Sequence, residues 1–216
     1  MIATSIALSI VMGGIMGQDL PSVLPYIMGG ILCFALPGFL LNEAPETFMS
    51  SSNIIKNHAH PFSYYIFENV ARVFILFINN LVVFYITLAV LGKLTLPNWT
   101  VVPAIMLNFL NCVFWGGVVA MAAARYRDLR FLLPFMSQII FFLTPVFWHP
   151  GNLKGWRTVI LNLNPFYGLM EVIRAPLLGE MAPLIAWQLS AASLLLGALA
   201  WAVFFGVYRG KIAFWV

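Results

Sequence analysis

The stretch from Val70 to Gly92 reads VARVFILFINNLVVFYITLAVLG, and the solvent it requires decides the fold. As a helix its 23 residues would be about 34 Å long at ~1.5 Å per residue, enough to cross the ~30 Å hydrocarbon core of a bilayer. Lys93 and Pro97 close it at one end, and its one charge, Arg72, lies near the other. Working outward, comparable apolar runs occupy Val23 to Leu41, Val101 to Ala124, Phe131 to Trp148 and Pro183 to Tyr208. Pro25 and Pro37 interrupt the first of these, which a membrane helix tolerates when neighbours satisfy the freed carbonyls. A shorter run, Ile2 to Gly17, opens the chain and is closed by Gln18-Asp19-Leu20-Pro21. The expected fold is an all-α integral membrane protein with six transmembrane helices, forming a single membrane domain over residues 1–216.

Composition demands the same solvent. Of 216 residues 62% are hydrophobic and 8% charged, against roughly 45–50% and about 25% in soluble domains. A soluble chain of this size would hide only ~70% of its unfolded surface, too little for this apolar content. Trp99, Trp148, Trp156, Trp187 and Trp215 stand near the ends of apolar runs, as in interfacial aromatic belts. The net charge of +4 is spread as single cations between those runs rather than gathered into a patch for nucleic acid. Cys33 and Cys112 lie inside apolar runs, without the count or spacing of a disulfide framework or metal site. The start, Met1-Ile2-Ala3-Thr4, has no basic region or small-residue cleavage motif, so the first run is expected to be a span.

Lys and Arg in the short loops orient the chain. With the first span starting in the cytoplasm, the inner side holds Lys56, Arg72, Arg125, Arg127, Arg130, Arg209 and Lys211, and the outer side Lys93, Lys154, Arg157 and Arg174. That excess places both termini in the cytoplasm.

Enzyme chemistry finds no support. There is no G-x-x-x-x-G-K-[ST] phosphate loop, no G-x-S-x-G and no H-E-x-x-H. His58 and His60 read as solvated loop residues, and His149 stands alone at a helix end, so no catalytic and no metal-ligating set is assigned. Ionisable groups, which mark proton or ion paths when buried in a span, are missing from the span centres, which argues against a proton-coupled carrier and for energy supplied from elsewhere. Glu68 and Arg72 are expected to pair at i,i+4. Polarity at mid-span comes from amides: Asn79, Asn80, Asn108, Asn111 and Gln138. These either cross-bond helices or, as Asn108 and Asn111 share a face at i,i+3 spacing, line a polar path.

Two segments between spans look structured. In Ser50 to Phe67, serines before Asn53-Ile54-Ile55-Lys56 offer an N-cap and Pro61 ends or turns a short helix, either interfacial or docked into a partner. In Asn164 to Pro176, Asn164 can cap a helix that starts at Pro165, with Pro176 beyond its end. About ten residues cannot cross a bilayer, so this piece should be re-entrant or lie at the outer interface, with Glu171 and Arg174 paired at i,i+3.

Four motifs and the ending resemble one family: Gly17-Gln18-Asp19-Leu20 with Leu24-Pro25-Tyr26; Asn53-Ile54-Ile55-Lys56; Ala124-Arg125-Tyr126-Arg127-Asp128-Leu129-Arg130 with Pro134, Gln138 and Thr144-Pro145-Val146-Phe147; and Leu163-Asn164-Pro165 through Glu171-Val172-Ile173-Arg174. Across nearly the whole chain they resemble the permease subunit of polysaccharide-exporting ABC transporters of the type-2 class, which serve O-antigen, capsule or teichoic acid. The ending Arg209-Gly210-Lys211-Ile212-Ala213-Phe214-Trp215 looks like the O-antigen branch.

The resemblance implies a bacterial inner-membrane permease of six spans that dimerises with a second copy above two nucleotide-binding ATPase subunits. These would carry the ATP and Mg, leaving this chain without cofactor or catalysis. Asn53, Ile54, Ile55, Lys56, Asn57 and His58 would form the coupling helix. Asn164, Pro165, Tyr167, Glu171 and Arg174 would belong to short gate helices before the last span. The implied cargo is an undecaprenyl-diphosphate-linked glycan, with drugs or lipids as the alternative of the same exporter class. Candidate channel-lining residues are Phe34, Phe39, Phe74, Phe77, Tyr85, Asn108, Asn111 and Trp115. The cytoplasmic cluster Arg125, Arg127, Asp128 and Arg130 would either grip the lipid diphosphate or anchor topology. The family's amphipathic cytoplasmic helix before the first span has no counterpart here, so the true start is expected upstream.

Overall fold

A computed structural model describes residues 2–16, 20–57, 60–150 and 155–215, which are helical with no strand. Eleven α-helices follow in order: α1 Ile2–Met16, α2 Leu20–Asn42, α3 Thr47–Ser50, α4 Ser52–Asn57, α5 Phe62–Val90, α6 Val101–Arg125, α7 Leu129–Leu143, α8 Trp156–Asn162, α9 Pro165–Leu177, α10 Leu184–Tyr208 and α11 Ile212–Trp215. Among the described residues four stretches are long and apolar enough to cross a membrane: Val23–Asn57, which takes in α2 from Val23 onward, then Phe62–Val90, Val101–Arg125 and Leu184–Lys211. Ala3–Gly14 and Leu129–Leu143 are shorter apolar helices. Of the six predicted spans, four correspond to helices of spanning length, and the first and fifth become shorter apolar helices.

The shortness of α7 has a local cause. Its apolar run continues to Trp148, but α7 stops at Leu143 because Thr144 precedes Pro145. The proline ring disfavours helical backbone at the residue before it, and Thr144 is extended at φ −91°, ψ 139°. The remaining 15 residues span only about 22 Å. Conversely, α5 begins eight residues before its apolar run, at Phe62, just after Pro61. Hydropathy misses this polar first stretch although its hydrogen bonding is continuous with the span.

α2 is the hub, packing against α1, α5, α6, α7 and α9, while α10 lies along α6 and α9. α1 buries Ser5, Ser9 and Gly13, a small-residue ridge at every fourth position. Such ridges let backbones approach closely where no hydrophobic effect drives helices together. Between α6 and α10 the fit is reciprocal. A Cβ on Gly117 would lie 1.9 Å from the Trp201 ring, and one on Gly197 would lie 2.7 Å from Trp115 Nε1. Each helix thus places a tryptophan on the other's glycine.

Arg72 departs from its predicted partner. Instead of pairing with Glu68 it reaches Glu43 at 3.3 Å and the Asn69 amide oxygen. Asn69 in turn donates to Thr47 Oγ1 at 2.8 Å. The connection after α2 folds back onto α5 and offers a tertiary acceptor that outcompetes the weak i,i+4 surface pair.

Candidate functional site

α9 is built as its sequence demands. Asn164 is extended, its Oδ1 accepts from Phe166 N at 3.0 Å, and Pro165 takes the first helical position. The expected stop at Pro176 is corrected: the helix runs through it to Leu177. Termination comes at Gly179, in the left-handed region at φ +86°, with Gly179 N donating to Pro176 O and Glu180 N to Ala175 O. That Schellman geometry uses the carbonyls a helix end leaves unpaired.

Two contacts fix how α9 sits. Phe166 is 6.4 Å from Phe34, and the Arg174 guanidinium is 4.0 Å from the Tyr26 ring. Eight residues separate the contacts on each helix, so α9 runs antiparallel to α2 for about 12 Å. From Tyr167 to Leu177 every residue except Glu171 is buried. α9 thus lies inside the bundle against α2, α6 and α10.

At its far end lies a buried ionic knot. Arg174 is 1% exposed, donates through Nη1 to Pro145 O at 2.6 Å and through Nη2 to Glu171 Oε2, and lies over the Tyr26 ring. Tyr26 donates to Trp148 O at 3.1 Å and stacks its ring on His149 at 3.7 Å. Asn164 Nδ2 donates to Thr144 Oγ1 at 3.1 Å, fixing the opposite end of α9 to the same turn. The turn also presses on α2, where a Cβ on Gly30 would stand 2.1 Å from Val146 O. Glu171 and Arg174 pair as predicted, whereas their cross-bundle partners Tyr26 and Pro145 escaped prediction as members of this site. Short-range spacing carries no signal for them. Burial first, and then the nearby Arg174 cation, hold the His149 imidazole below its ordinary pKa.

At the opposite end, Asn53, Ile54, Ile55, Lys56 and Asn57 lie on α4, a six-residue helix. Ile54 is 50% exposed, Asn53, Lys56 and Asn57 are exposed too, and Ile55 turns toward the core. His58 lies outside the described residues. The basic cluster follows α6. Arg125 lies over the rings of Tyr126 and Trp215 at 5.4 Å each and Tyr208 at 6.0 Å. Arg127 Nη2 donates to Trp215 O at 3.3 Å, and Arg130 lies over Phe131 at 4.6 Å. Asp128 is exposed, and its carbonyl starts α7 by accepting from Phe131 and Leu132.

The family model of the ABC-2 type transporter matches residues 1–178. The chain belongs to that family. As an ABC-2 permease it is a multi-pass membrane protein and the transmembrane subunit of an ABC exporter, a class that works with a nucleotide-binding subunit and is not itself catalytic. No curated protein matches it.

Within the permease, the candidate channel residues are buried or half-buried on α2, α5 and α6. Phe34, Phe39 and Phe77 are buried, and Phe74 meets Phe109 edge to face at 5.1 Å. Tyr85 donates to Leu177 O at 3.1 Å, and Trp115 Nε1 to Ser193 O at 2.9 Å. Asn108 and Asn111 are fully buried and cross-bond α6 to its neighbours, donating to Leu169 O at 3.1 Å and Ser190 O at 3.2 Å. Their Oδ1 atoms accept from no donor among the described residues, which marks two polar positions suited to buried water. Asn79 and Gln138, by contrast, lie on exposed helix faces.

Proposed function

We propose that this ABC-2 permease exports a lipid-linked polysaccharide, O-antigen foremost, across the bacterial inner membrane, acting as a homodimer on two ATPase subunits. One observation carries the reading. Three of the segments that resemble polysaccharide exporters, Leu24-Pro25-Tyr26, Thr144-Pro145-Val146 and Asn164 to Arg174, meet in the knot around Arg174. In this reading all six apolar helices belong to the membrane domain and both termini are cytoplasmic. α8 and α9 form the gate elements, and α4 docks into the ATPase with Ile54 and Lys56 outward. Motor energy then reaches the gate through α2, which lies between the polar connection bearing α4 and the knot.

Deleting the gene should abolish the surface glycan, and the permease should co-purify with a separate ATPase. Replacing Lys56 or deleting residues 54–58 should uncouple ATP hydrolysis from export. Unchanged export by those variants refutes the docking role, and transport by the isolated chain driven by a proton gradient refutes the exporter reading.

A second reading, export of a drug or lipid, is favoured by one feature. A cavity of about 370 Å³ between α2, α6, α9 and α10 is lined by Leu40, Trp115, Val119, Phe166, Leu189 and Leu196, an almost wholly apolar wall. Such a lining suits a hydrophobic ligand. Retention of the surface glycan on deletion, with accumulation of a hydrophobic compound in the cell, would select it.

A further inference from the structure

At the basic end of the bundle, α6, α10 and α11 enclose a cavity of about 290 Å³ whose walls include Ala122, Arg125, Tyr126, Phe204, Tyr208 and Trp215. Arg125 rests on the faces of three of those rings. None of its N–H groups has a hydrogen-bond or ion-pair partner among the described residues. A guanidinium whose faces are engaged but whose edge is free is a planar fork of donors with much of its side-chain entropy already lost. That is the geometry that takes phosphate oxygens two at a time.

The surroundings select an anion and a lipid. Arg127 and Arg130 follow Arg125 in the chain with one acid, Asp128, between them, and the contacts of Arg125 and Arg127 with Tyr208 and Trp215 bring the segment that carries Arg209 and Lys211 to the same end. Lys211 Nζ is itself held 5.8 Å from the Tyr208 ring, and the buried Nε of Arg130 has no partner. Arg127 fixes one wall by donating to the Trp215 carbonyl. The other walls, Met121, Ala122 and Phe204, are apolar. This combination of cationic fork, aromatic rim and apolar floor at the end of two spanning helices matches a lipid phosphate headgroup with the start of its chain.

We infer that the cavity between α6, α10 and α11 is a binding site for a lipid phosphate or diphosphate, with Arg125 as its bidentate anchor. The site stands on this geometry alone; that its natural occupant is a polyprenyl-diphosphate carrier rests on the proposed export function.

The test measures binding to the purified full chain in phosphatidylcholine nanodiscs, titrated separately with undecaprenyl diphosphate, phosphatidylglycerol and inorganic diphosphate. Arg125→Gln should weaken lipid binding roughly 10- to 100-fold, the loss expected for charge-assisted hydrogen bonds. Arg125→Lys should recover only part, because an ammonium has no fork. Ala122→Phe fills the cavity while keeping every charge, and should abolish binding in protein that remains monodisperse. Tight undecaprenyl diphosphate and weak phosphatidylglycerol binding support both the site and the glycan reading. Equal binding of the two lipids keeps the site and counts against that reading. Binding of inorganic diphosphate as tight as of either lipid removes the lipid assignment. Arg125→Gln and Ala122→Phe variants that bind both lipids like the wild type overturn the site.

Discussion

Two arginines set the two ends of this permease apart. Arg174 is sealed in the bundle, spends its Nη groups on Pro145 and Glu171, and lies on Tyr26. Arg125 also lies on aromatic faces, yet its polar edge is left to the outside. An aromatic face therefore orients a guanidinium in both places, and the acceptors decide its use. Where the chain supplies them the cation ties three segments together; where it does not, the cation is available to a ligand.

The strongest way to break this contrast is Arg174→Gln. Removing one member of a buried pair leaves Glu171 without compensation, which costs about 3–5 kcal/mol. Loss of the folded fraction in detergent, followed by thermal unfolding, should show it, while Arg125→Gln, which gives up only exposed cation–π contacts, should cost about 1 kcal/mol. Equal stability of the two variants would erase the distinction. Gly30→Ala comes next. The added methyl meets the Val146 carbonyl at 2.1 Å, so α2 and the turn must part, at about 1–3 kcal/mol, and the knot should loosen with it. Faster hydrogen exchange of residues 144–150 would report that loosening. Asn108→Leu is milder, about 0.6 and at most ~2 kcal/mol, because it removes one cross-bond from α6 to Leu169 O.

The smallest effect is one of pH. The pKa of His149 is held below its ordinary value by burial and then by Arg174, so the unfolded chain takes up the proton first. Stability should be flat above the ordinary imidazole value of 6.5 and decline slightly as pH falls through it. The His149→Gln variant should lose that slope, and an Arg125→Gln variant should keep it.

Much of this was readable along the chain because its causes are local. Apolar runs located α5, α6 and α10, and an Asn-Pro pair located the start of α9 to the residue. Proline could also have been read more strictly, since Thr144 before Pro145 marks the end of α7. The pairing of Arg72 with Glu43 had no such signal, because its acceptor is 29 residues away in a connection whose fold-back depends on α2 packing against α5. The predicted channel residues show the same limit: composition supplied rings and amides at mid-span, and helix rotation turned Phe39, Phe77, Asn108 and Asn111 inward.

By itself, then, the sequence determined the solvent and the longer helices, since hydropathy and capping act within a turn or a run of residues. Only the tertiary structure decided that Tyr26, Pro145 and Arg174 form one knot and that Arg125 is left with a free edge. Which acceptor a guanidinium finds depends on the rotation and approach of helices far apart in the chain, and those are set by packing, Gly30 against Val146 and Gly117 against Trp201 among them.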